Sequence, residues 1–124
     1  MKMRIKGNSL RYRLTKTDLA VLATNGYLEE RSSFPGQTLV YALKVSDASG
    51  LSAAFNNDTI LMYLSVEMLS ELVNTNRVGF NEKTGTMDLL LEKDFVCLDN
   101  IEEDQSDQYP NPLAAKFVAG DIIE

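Results

Sequence analysis

Four cationic side chains near the start of the chain recur at two-residue spacing. Arg4 and Lys6 come first, and Arg11 and Arg13 follow the turn signal Gly7-Asn8. Neighbouring guanidinium groups can fork onto the oxygens of a phosphate or a carboxylate. Alternate residues of an extended chain point to one side, so these four, with Ser9, make one basic face. Three readings are open. The face is the solvated side of a two-sided strand pair; or it receives an acidic segment of this chain, of a second copy or of another protein; or it holds a small anion. Tyr63 joins the candidates. It is out of phase with Ile60, Met62 and Leu64, and it corresponds to Arg13 when the chain is shifted by 50 residues. With Ser9, Arg11 and Arg13 it would suit an anionic or aromatic ligand.

Other chemistry finds few carriers. The chain has no histidine and one cysteine, Cys97. Imidazole catalysis, a Ser-His-Asp triad, an internal disulfide and a Cys-cluster zinc site are excluded. Cys97 lies in Phe95-Val96-Cys97-Leu98 and reads as a small buried hydrophobe. Glu102, Glu103, Asp104 and Asp107 could offer oxygens to a hard cation, but their spacing lacks the glycine and closing glutamate of an EF-hand loop. Glu29 and Glu30 point to opposite faces of a strand, and Asp88 and Glu92 stand too far apart, so neither makes a catalytic pair. No phosphate-binding glycine loop or dinucleotide fingerprint occurs. No metal and no cofactor is expected.

The elements that must position the basic face follow from period and punctuation. Residues 1–6 alternate Met1, Met3, Ile5 with Lys2, Arg4, Lys6, and residues 9–14 alternate Leu10, Tyr12, Leu14 with Ser9, Arg11, Arg13. They predict a hairpin with one apolar and one basic face. Thr15 caps a helix, with Asp18 as the capping-box acid and Leu19, Leu22 and Ala23 as the buried stripe; Asn25-Gly26 ends it. Strands are expected over 27–33 and 38–45, around the turn Phe34-Pro35-Gly36-Gln37. The second half gives strands over 52–56 and 59–64, and a helix capped by Ser65 that buries Leu69, Leu72 and Val73. Strands over 77–81 and 86–91 follow, around a turn at 82–85. Residues 99–112 lose periodicity as an acidic loop, and 113–123 read as a short closing element.

A shift of 50 residues lays Leu10, Leu14, Leu19 and Leu22 on Ile60, Leu64, Leu69 and Leu72, and the cap Thr15 on the cap Ser65. The pattern predicts an α+β fold in one domain over 1–124. Two pseudo-repeated strand-strand-helix-strand-strand units, about 1–46 and 51–94, would form an antiparallel sandwich or partly closed barrel with two helices; the loop and tail take 99–124.

Charge is unevenly spread. The net is −6 over 124 residues, which speaks against nucleic acid as a partner. Half of the 12 cationic residues nevertheless fall within 1–16, where there is no acid, while 94–124 is acidic. The ends can attract each other, within one chain or across a homodimer. No apolar run is long enough to span a membrane, and the N-terminus has no signal-peptide core. With one cysteine, a cytoplasmic setting is expected.

The opening Met-Lys-Met-Arg-Ile-Lys-Gly-Asn-Ser-Leu-Arg-Tyr-Arg-Leu-Thr resembles the start of a small bacterial family of unknown function, of Bacteroidetes type. The later Glu-Asp-Gln-Ser-Asp-Gln-Tyr-Pro-Asn-Pro is similar to that family's acidic stretch. The resemblance implies a bacterial, cytosolic, stand-alone protein and transfers no activity. The expectation is a non-enzymatic binding domain acting through the basic hairpin face, towards an acidic protein surface, a second copy or a small anion. The alternative is a carrier or enzyme whose charged barrel interior takes a phosphorylated or carboxylated molecule.

Overall fold

Alternating side chains build the strands, and turn residues separate them. The structure, a computed structural model, describes residues 1–95 and 106–110. Cys97, residues 102–104 and the closing element expected at 113–123 lie outside the described residues. The element order is β1 (Lys2–Lys6), β2 (Ser9–Leu14), α1 (Lys16–Asn25), β3 (Tyr27–Phe34), β4 (Gln37–Ser46), β5 (Ser52–Asn56), β6 (Thr59–Ser65), α2 (Val66–Asn74), β7 (Gly79–Thr84) and β8 (Met87–Lys93).

The strands form two four-stranded sheets, β1-β2-β8-β7 and β3-β4-β6-β5. Each sheet takes one hairpin from each half of the chain. The expected all-antiparallel pairing is corrected at the centre of both sheets, where β2 runs parallel to β8 and β4 parallel to β6. The hairpins are antiparallel, but distant parts of the chain meet between them. Alternation reports which face a residue takes and carries no information about such partners. The barrel is corrected too. Each sheet ends in two edge strands, β1 and β7 in one, β3 and β5 in the other.

The inward faces share one core. Leu10, Tyr12, Leu14, Leu89 and Leu91 of the first sheet belong to the same buried cluster as Leu43, Met62 and Leu64 of the second. Tyr12 is fully buried, and its Oη donates to the Ile60 carbonyl at 2.8 Å, which ties the sheets together. Burial pushes the Tyr12 phenol well above its usual range. The helices pack on each other and on β2, β3, β4 and β6.

Both helix starts are as expected. Thr15 Oγ1 accepts from the Asp18 N–H, and Asp18 Oδ2 accepts from the Thr15 N–H at 2.9 Å. Ser65 Oγ accepts from the Met68 N–H at 3.1 Å. Gly26 takes a left-handed φ of 70° to end α1. The buried stripes differ in detail. Leu19 and Leu22 are buried but Ala23 is exposed, and α2 buries Met68 and Leu72 while Val73 is exposed. Strand β7 starts at Gly79, not Arg77, and runs through the expected turn to Thr84. Its polar run Asn81-Glu82-Lys83-Thr84 mimics a turn because an edge strand tolerates polar residues.

Candidate functional site

Strand β2 turns Leu10, Tyr12 and Leu14 inward and so turns Ser9, Arg11 and Arg13 outward. Its antiparallel partner β1 sets Lys2 opposite Arg13, Arg4 opposite Arg11 and Lys6 opposite Ser9. On the other side, β8 places Glu92 beside Arg13, Leu90 beside Arg11 and Asp88 beside Ser9. The expected cations Arg4, Lys6, Arg11 and Arg13 thus gather on the outer face of one open sheet.

Five cations face few carboxylates there. Glu92 Oε1 lies 3.5 Å from Nε of both Arg11 and Arg13, so one carboxylate serves two guanidinium groups. Lys2 Nζ lies 3.3 Å from the buried Asp94 carboxylate. Arg4 and Lys6 have no carboxylate partner among the described residues. Two shallow depressions mark the face. One of about 300 Å³ is lined by Lys2, Met3, Arg4, Arg11 and Arg13; the other, about 190 Å³, by Arg4, Lys6, Ser9 and Arg11. Arg4 and Arg11 border both, in position to offer forked donors to a bound oxyanion.

Tyr63 is not brought to this face. It lies on β6 in the other sheet, with Lys44 and Ser52 as its register partners. The first hairpin pairs with β8 rather than β6, so Tyr63 and the arginines fall on different sheets. Lys2 and Glu92 also belong to the site, although the sequence offers Glu92 only as half of a rejected acid pair. Lys2 was visible in the same alternation, whereas Glu92 enters through the parallel pairing alone. Gly79 stands across from Glu92, where a Cβ would strike the Leu91 carbonyl and crowd the Glu92 side chain.

The described part of the acidic stretch sits elsewhere. The Asp107 carbonyl accepts from the Lys16 N–H at 3.0 Å, and its Oδ1 accepts from the Thr17 N–H and hydroxyl at 3.1 and 2.8 Å. Asp107 therefore caps the start of α1 from outside. The Thr17 hydroxyl, chief among its donors, holds this carboxyl below its usual range. Gln108 Nε2 donates to Asp94 at 3.0 Å, which joins the segment to the carboxylate that Lys2 also reaches.

The model of a family of unknown function, DUF7009, matches residues 1–113. The chain belongs to that family. No curated protein and no solved structure matches it. The matched span of DUF7009 includes both hairpins that build the basic face. Among the described residues, no helix is long and apolar enough to cross a membrane.

Proposed function

We propose that this DUF7009 chain is a non-enzymatic binding domain that grips the carboxylates of an acidic protein partner through the outer face of β1 and β2. One observation carries the reading: Arg4 stands directly opposite Arg11, and among the described residues no carboxylate relieves Arg4. Like charges set directly opposite on a strand pair destabilise the sheet. Their retention in a chain of net charge −6 is accounted for by an anion supplied from outside. The two depressions beside the pair give a small oxyanion a second claim on the face. The reading with cations lining a barrel interior has no support, because side chains such as Tyr12, Leu43 and Leu64 pack the centre between the sheets and the cations lie on the outer face.

Two finer points belong to the same proposal. The halves are related units, a reading supported by the 50-residue register and by the repeated strand-strand-helix-strand-strand order. The setting is the cytoplasm, a reading supported by the single cysteine.

The test is calorimetric titration with a Glu-rich peptide and, separately, with inorganic phosphate, for the native chain and for Arg4→Ala/Arg11→Ala. The peptide is expected to bind with salt-sensitive affinity, and the variant to lose about tenfold or more, worth about 1.4 kcal/mol. Phosphate binding alone would make this a small-anion site. Equal peptide affinity in the native chain and the variant removes the face from function.

A further inference from the structure

Four strands end the two sheets, and each exposes a row of unpaired backbone groups among the described residues. Native proteins guard such edges with charge, lysine or proline. Strand β1 carries Lys2, Arg4 and Lys6; β3 carries Glu29, Glu30 and Arg31; β7 carries Glu82 and Lys83. Strand β5, Ser52-Ala53-Ala54-Phe55-Asn56, carries no charge and no proline. It also holds the most exposed large apolar side chain described, Phe55 at 70%. Beside it a cleft of about 270 Å³ opens between the sheets, lined by Leu10, Ala53, Phe55, Ile60, Met87 and Leu89 among others.

We propose that β5 is a self-pairing edge: two copies of this chain join β5 to β5 in antiparallel fashion about a twofold axis, each Phe55 resting at the mouth of the partner copy's cleft. The strand is complementary to itself. Pairing centred on Ala54 sets Phe55 opposite Ala53 in both directions, a large side chain against a small one, as an isologous contact requires. Charge rules out β1 and leaves β5 open. Two β1 strands laid together would oppose cations, whereas two β5 strands oppose none. In a chain of net charge −6, a neutral edge is where a second copy meets least repulsion. Size sets the strength. Two Phe55 rings, 70% exposed in the single copy, can bury at most about 200–350 Å² more between them, so with the paired edge the interface lies at or below the lower limit of stable ones, about 1,200 Å². A micromolar dimer is expected.

Sedimentation equilibrium of the full chain over a concentration series, at low and high salt, tests this. The native chain is expected to dimerise with a Kd of about 10–100 µM that hardly depends on salt. Phe55→Glu and Ala53→Lys both alter exposed positions, so each is expected to keep its circular dichroism and to weaken the dimer about tenfold or more. Arg4→Ala/Arg11→Ala is expected to leave the dimer unchanged, which separates this surface from the basic face. A native chain that stays monomeric throughout overturns the proposal. So does a dimer that survives both β5 variants, or one dissolved by salt and by the arginine variant.

Discussion

Arg4 faces Arg11 across a strand pair in which either residue alone would be an ordinary solvated side chain. Cross-strand pairs are worth about 0.2–1 kcal/mol, with like charges on the unfavourable side. Replacing Arg4 by the opposite charge therefore separates stability from binding. Arg4→Glu is expected to stabilise the fold by about 0.5 kcal/mol, read as a rise in Tm, by pairing with Arg11. The same variant is expected to lose the acidic peptide. A higher Tm with undiminished peptide binding would show that Arg4 takes no part in recognition. The four cations themselves were legible in the sequence because alternation alone puts them on one side. Their counter-charge was not, because Glu92 reaches Arg11 and Arg13 through a pairing between residues far apart in the chain. Tyr63 was misplaced for the same reason: its face was readable and its sheet was not.

At the scale of elements, α1 shows how a distant segment can complete a local structure. Its N-terminal groups take the capping box of Thr15 and Asp18 from nearby and Asp107 from the far end of the chain. The first was legible from residue types three apart, and the second left no local trace. The lowered Asp107 carboxyl means that the folded state binds its proton less tightly than the unfolded state does. The stabilisation is complete above the ordinary carboxylate value, about 3.9, and is lost as pH falls through the lowered folded value. Melting temperature is accordingly expected to drop on acidification from about pH 5 to about pH 3, and Asp107→Ala is expected to make that drop smaller. A drop of equal size in the variant would place the acid sensitivity in other carboxylates. Strand limits were legible wherever apolar alternation was strong, as in β2 and β4. They failed at β7, where polar edge residues resemble a turn.

The whole molecule is held together by an exchange between its halves. Strands β1 and β2 complete the sheet of β7 and β8, while β3 and β4 complete that of β5 and β6. Neither half contains a whole sheet, so each alone would offer two separate hairpins and a helix. A lone two-stranded hairpin is marginally stable in water at best. Cutting the chain in the exposed loop at Asp47–Ser49 tests this dependence, since the break removes no strand residue. The N-terminal fragment alone is expected to show no cooperative thermal transition by circular dichroism. Mixing it with the remainder is expected to restore one, because the parallel contacts of β2 with β8 and β4 with β6 supply what each fragment lacks. A fragment that melts cooperatively by itself would mean that one half carries its own core. The shared core argues otherwise: Leu10 and Leu43 from the first half lie in one cluster with Met62 and Leu89 from the second, so the apolar surface of either half is covered only when both are present.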